Sequence, residues 1–190
     1  METTTQKPVK FLSATRENAD FNQYWYSAAT INAICAEFQS VGAQKIACIA
    51  CPSVFFCLKQ FYPNLYEKAT LLDIDTQWKK EHGFIRYDYK EPLDIPGSLQ
   101  HTFDGVVIDP PFITRDAWIK FAEAGRLLGT SDAHFICSSI AENAAMLKEL
   151  LGVSPVLFKP SIPNLIYQYN FYTNFQPKIL DKKNQELPDD

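Results

Sequence analysis

FDGVVIDPPF, residues 103–112, is an apolar run of strand length that ends on an acid and two prolines. Proline cannot donate to a strand ladder and holds the preceding residue extended, so Asp109-Pro110-Pro111 stops the pairing and stiffens the loop behind it. A rigid turn is the simplest account of such a pair, and the rest of the chain decides whether it is enough. Before this run, SAATINAICAEFQSVG (27–42) places Ile31, Ile34, Cys35 and Phe38 on one helical face, with Ser27 as a cap and Gly42 behind the end. QKIACIA (44–50) reads as strand one, and Pro52 and Ser53 open a helix that runs through Leu58 to Phe61. ATLLDID (69–75) is strand two, TQWKKEHG (76–83) a short helix, and FIRYDY (84–89) strand three.

After strand four, TRDAWIKFAEAGRLLG (114–129) is an amphipathic helix, DAHFICSS (132–139) strand five, and IAENAAMLKELLG (140–152) another helix. VSPVLFKPS (153–161) and LIYQYNFYTNF (165–175) are strand-like with no helix between them. Strands alternating with helices predict one α/β domain on a doubly wound, mostly parallel sheet, and the helix-free terminal pair predicts an antiparallel hairpin at one edge. The expected boundaries are a polar N-terminal segment at 1–20, the domain at 21–175 and a polar tail at 176–190.

The 190 residues are 46% hydrophobic and 21% charged with a formal net charge of −4, the composition of a globular protein that lacks a global field for polyanions. Nucleic acid is therefore a disfavoured partner, and no apolar run is long enough to span a bilayer, so a cytoplasmic protein working as a monomer is expected. The five cysteines include Cys48-Ile49-Ala50-Cys51, but no second pair or adjacent histidine completes a four-ligand site, so buried free thiols and no metal are expected.

Ligands of doubly wound sheets bind beyond the carboxyl ends of the strands. Three of the first four strands end on acids. Asp75, with Asp73 as second choice, stands where a nucleotide site places its ribose acceptor; capping of the next helix is the competing role for Asp75. Asp88 is placed to accept from an adenine amine, or is an ordinary surface acid. The loop Asp109-Pro110-Pro111-Phe112 offers a carboxylate, carbonyl oxygens and an aromatic face with few competing donors. That combination would orient an amine toward an electrophilic carbon.

At these residues the chain resembles class I S-adenosylmethionine-dependent methyltransferases of the amino-group type, which carry (Asp/Asn/Ser)-Pro-Pro-aromatic after strand four. FNQYWYSAAT (21–30), CIACPSVFF (48–56), FIRYDYKEPLDIP (84–96), VVIDPPF (106–112) and FKPSIPN (158–164) together resemble the elongation factor 1-alpha lysine methyltransferase 1 family, formerly described as DNA adenine methyltransferases. The resemblance implies a seven-stranded Rossmann-like sheet and methyl transfer from S-adenosylmethionine to a lysine of the elongation factor. It implies catalysis at Asp109, Pro110, Pro111 and Phe112. Tyr24, Trp25, Tyr26 and Ser27 are implied near the methionine end of the cofactor, with Cys51 and Ser53 in the loop after strand one. The glycine-rich loop of the wider class is absent there, replaced by ACPSVFF (50–56). Methylation of adenine N6 in DNA or RNA is the alternative activity, and a catalytically silent binding subunit is a third.

Overall fold

The computed structural model describes residues 8–188, so the outermost residues of both expected terminal segments lie outside it. The chain forms α1 (Lys10–Ala14), α2 (Ala28–Ser40), β1 (Ile46–Ile49), α3 (Pro52–Phe61), α4 (Pro63–Tyr66), β2 (Thr70–Asp73) and β3 (Phe84–Arg86). It continues through β4 (Phe103–Ile108), α5 (Arg115–Leu128), β5 (Gly129–Ser139), α6 (Ala144–Leu151), β6 (Ser154–Pro155) and β7 (Asn170–Thr173). One seven-stranded sheet has the order β3-β2-β1-β4-β5-β7-β6. The first five strands across it are parallel, and β7 is antiparallel to both β5 and β6. This is the doubly wound sheet with an antiparallel terminal hairpin that the sequence predicts.

β1 and β2 are buried along their whole length, which explains the continuous apolar run at β1; β2 also buries Thr70 and Asp73 at its two ends. Their two faces belong to separate cores, one under α2 and α3 built on Ile34, Phe38 and Phe55, the other under α5 built on Trp118, Phe121 and Leu128. Helix α2 starts where expected, with Ser27 Oγ accepting from Thr30 N–H at 3.2 Å. The carboxylate of Asp104 accepts from the N–H groups of Gln44 and Lys45 at 2.8–3.0 Å, clamping the entry of β1 beside that of β4.

Four segments depart from the sequence reading. Of the strand-like runs 153–161 and 165–175, only Ser154–Pro155 and Asn170–Thr173 form strand, and the stretch between them is loop. Only Thr76–Trp78 of the expected short helix is helical, as a 3-10 turn; the rest is polar turn leading to Gly83 at φ +77°, where a Cβ would lie 2.4 Å from the Ala69 carbonyl oxygen. The described part of the N-terminal segment packs against the body, with Phe11 buried and its ring 5.0 Å from that of Trp25. Near the other end Leu180 is fully buried, and the buried carboxylate of Glu37 accepts from the N–H groups of Lys178, Ile179 and Leu180 at 2.7–2.9 Å.

Gly105 is where β4 meets α2. A Cβ there would stand 2.9 Å from Cδ1 of the fully buried Phe38. Gly105→Ala is expected to lower unfolding stability by about 1–3 kcal/mol through overpacking, measured by urea denaturation; a change below about 0.5 kcal/mol would show that Phe38 can move aside.

Candidate active site

The sheet order reverses between β1 and β4, and the carboxyl ends there open into a cavity of about 370 Å³. Its floor is shaped by backbone. Ala50, directly after β1, has φ +52°, the left-handed region that favours glycine. The glycine-poor loop therefore makes its turn with an alanine, and Ala50 N–H donates to Leu72 O at 2.8 Å to hold it against β2. Asp109 N–H donates to Ile49 O at 3.2 Å, fixing the end of β4 beside the same turn.

Asp109 opens on the cavity, and the neighbouring strand orients it. Ser138, near the end of β5, donates to Asp109 Oδ1 at 2.5 Å and accepts from the Tyr26 hydroxyl at 2.7 Å. Burial pushes the Asp109 carboxyl up to about 6, against the downward pull of the Ser138 hydrogen bond. Pro110, Pro111 and Phe112 also line the cavity, and Phe112 is 46% exposed at its mouth. The Pro111 carbonyl is taken, since it accepts from Asn22 Nδ2, whose residue stands at φ +53°.

At the end of β2 the two candidate acids divide. Asp73 is on the cavity wall, with Oδ1 accepting from Asp75 N–H at 2.8 Å, and burial lifts its carboxyl to about 7. Asp75 caps the following 3-10 turn, accepting from Gln77 N–H at 3.1 Å and from Gln23 Nε2 at 3.0 Å; it is buried and does not line the cavity. Asp88 lines the cavity beyond β3, and the Tyr89 ring there stacks on Phe121 at 5.1 Å. Tyr87, also on the wall, has a buried hydroxyl with no hydrogen-bond partner.

Tyr24 and Trp25 line the cavity, whereas Tyr26, Ser27, Cys51 and Ser53 do not. Tyr26 is buried and reaches the site through Ser138. Ser27 is committed to capping α2 and to Glu186. Cys51 and Ser53 turn into the core at the start of α3, and burial raises the Cys51 thiol well above its ordinary range; Pro52 stands at the cavity in their place. The sequence does not single out Asn22, Ser138, Ile162, Leu165 or Tyr169 as site residues. Asn22 and Ile162 fall inside the stretches 21–30 and 158–164 that carry the family resemblance, Leu165 and Tyr169 lie in a run that reads as strand, and Ser138 is an ordinary polar residue near a strand end.

The family described as probable N6-adenine methyltransferase matches residues 17–177. The human EEF1A lysine methyltransferase 1 is 31% identical, over 84% of this chain and 75% of its own length. The Caenorhabditis elegans protein-lysine N-methyltransferase M142.8 is 28% identical, over 84% and 79%. Among solved structures, the branched-chain polyamine synthase of Thermus thermophilus overlays with a TM-score of 0.63 at 14% identity, covering 95% of this chain and 66% of that one. A putative RNA methyltransferase of Pyrococcus horikoshii overlays with a TM-score of 0.59 at 12% identity, covering 87% and 94%. At such identities the overlays speak for the fold alone. With its motifs in order and both coverages high, the chain belongs to the probable N6-adenine methyltransferase family, on the branch that includes the EEF1A lysine methyltransferases.

Proposed function

We propose that this chain is an S-adenosylmethionine-dependent protein-lysine N-methyltransferase acting on translation elongation factor 1-alpha, working as a monomer in the cytosol. The observation that carries the reading is the charge of the cavity. Among the described residues four acids, Asp20, Asp73, Asp88 and Asp109, line it against a single cation, Lys90. Asp109 and Asp73, raised to about 6 and about 7, add their charge as pH rises through neutrality. Such a wall attracts a sulfonium and an ammonium and repels a phosphate backbone.

The residues suit the cofactor. Asp73 presents a buried carboxylate at the end of β2 for ribose hydroxyls, Asp88 an acceptor for an adenine amine, and the Tyr87 hydroxyl a buried group in need of a partner. The bound cofactor supplies an electrophilic methyl group on a positively charged sulfur. Asp109, held by Ser138 and drawn down also by the Tyr26 hydroxyl, is the carboxylate that would accept from the incoming amine, with the Pro110 carbonyl as a second acceptor in the same loop. Phe112 and Tyr24 flank the aliphatic stem. A lysine must lose a proton before its lone pair can attack. An ionised Asp109 favours the ammonium, so its work is orientation and the proton leaves to water at the open mouth.

Radiolabelled S-adenosylmethionine incubated with the enzyme, recombinant elongation factor and duplex DNA should label the protein only; label confined to DNA would establish the adenine reading instead. Asp109→Ala is expected to cut kcat/KM by about 100-fold or more while cofactor affinity stays within about twofold. Full activity in the folded variant would remove the loop from the mechanism.

A separate outcome follows from Ser138. Its hydrogen bond lowers the Asp109 carboxyl, so Ser138→Ala should raise it further above about 6 and move the acid limb of the kcat/KM profile to higher pH. Ser138→Thr should restore the limb. An unmoved limb would mean that Asp109 ionisation does not govern the reaction.

A further inference from the structure

The β6–β7 connection carries two side chains that the cavity does not use. Ile162, Leu165 and Tyr169 face the cavity, whereas Ile166 and Tyr167 are 94% and 68% exposed. These two are the most exposed large hydrophobic side chains among the described residues. The backbone beneath them is tied down. Leu165 N–H donates to Ile162 O at 3.0 Å, and Gln168 Nε2 donates to the carbonyls of Pro160 and Tyr169 at 2.9 and 2.7 Å. Asn164 Nδ2 donates to Glu17 Oε2 at 2.8 Å, and the Ser161 carbonyl accepts from Ser27 N–H at 2.8 Å.

Scattered exposed apolar residues need no explanation. Here, however, the pair sits next to an opening that already carries two more exposed rings, Phe112 at 46% and Tyr24 at 38%. Holding such side chains in water on a fixed backbone removes most of the ordering cost that a partner would otherwise meet on contact. Exposed Asp20 and half-buried Asp88 and Glu17 accompany them, with Lys90 the one cation of the cavity wall. A cavity this size admits a lysine side chain beside the cofactor but touches little of the protein that bears it. Discrimination between acceptor proteins must therefore come from the rim.

Resting on the lysine methyltransferase reading, we propose that Ile166 and Tyr167 form the docking platform for the acceptor protein. Its occupant is a folded, basic surface on which an apolar side chain neighbours the target lysine. Apolar contact with Ile166 and Tyr167 sets the register of the lysine, and the acids of the rim favour a basic surround.

The test compares wild-type enzyme with the Ile166→Ser/Tyr167→Ser double variant, using recombinant elongation factor 1-alpha as acceptor. Both positions are exposed, so the fold should persist, which circular dichroism checks. KM for the factor should rise about tenfold or more, with kcat little changed and calorimetric S-adenosylmethionine affinity within about twofold. The wild-type KM should also rise with added salt. An unchanged KM in the variant, with the wild type active, overturns the docking proposal alone. So does a loss of cofactor affinity, which would place the pair in the cavity's own framework, or a wild-type dimer that the substitutions dissociate, which would make the patch a contact between copies. A wild-type enzyme that transfers no methyl group to the factor removes the proposed function and the docking proposal with it.

Discussion

Everything at this site depends on the reversal of strand order between β1 and β4. Both strands are parallel and deeply buried, and their carboxyl ends stand side by side while the chain leaves them in opposite directions. The crevice follows from that topology, and its walls from what ends each strand: the Ala50 turn after β1, Asp73 as the last residue of β2, Asp88 past β3 and Asp109 after β4. Two backbone hydrogen bonds, Ala50 N–H to Leu72 O and Asp109 N–H to Ile49 O, carry the register of the sheet into the loops.

Two carboxylates held in such a place cost stability. Burial raises Asp109 to about 6 and Asp73 to about 7. A carboxyl raised on folding favours the folded state below its unfolded value, near 4, and that advantage is lost as pH rises through the folded value. Both groups therefore weaken the free protein progressively between about pH 4 and pH 7. A bound ligand with hydroxyl donors or positive charge would relieve both. Asp73 and Asp109 each accept a protein hydrogen bond on Oδ1 and still line the cavity, so they are more economically understood as groups kept for a ligand, whereas Asp75 accepts within the protein on both oxygens, does not line the cavity and is a structural tie.

Most of this architecture is legible in the sequence. A continuous apolar run marks β1, and prolines mark the end of β4 and the start of α3. The motif at 109–112 falls where the topology needs it. What the sequence conceals is tertiary. Asp73 and Asp75 are both acids at the end of one strand, and only the turn after β2 decides which faces the cavity. Ser138 gains its role from a neighbour 29 residues away in sequence, and Tyr26 from one 112 away. The C-terminal segment reads as polar because its anchor is not its own composition but Glu37, a buried acid on a distant helix. Residues 76–83 read as helix from their flanks, yet bury only Trp78 of their side chains, and a single 3-10 turn suffices to place it.

The acids of the cavity are held ready for ligands, Asp73 for the cofactor and Asp109 for the acceptor amine. Isothermal titration of S-adenosylmethionine into the free protein from pH 6 to pH 8, in buffers of different ionisation enthalpy, tests this assignment most directly. Hydroxyl donors favour the ionised form of Asp73, so affinity should climb across this range with proton release, and the climb should flatten in Asp73→Asn. An equal pH dependence in that variant, or binding without proton release in the wild type, would contradict the account.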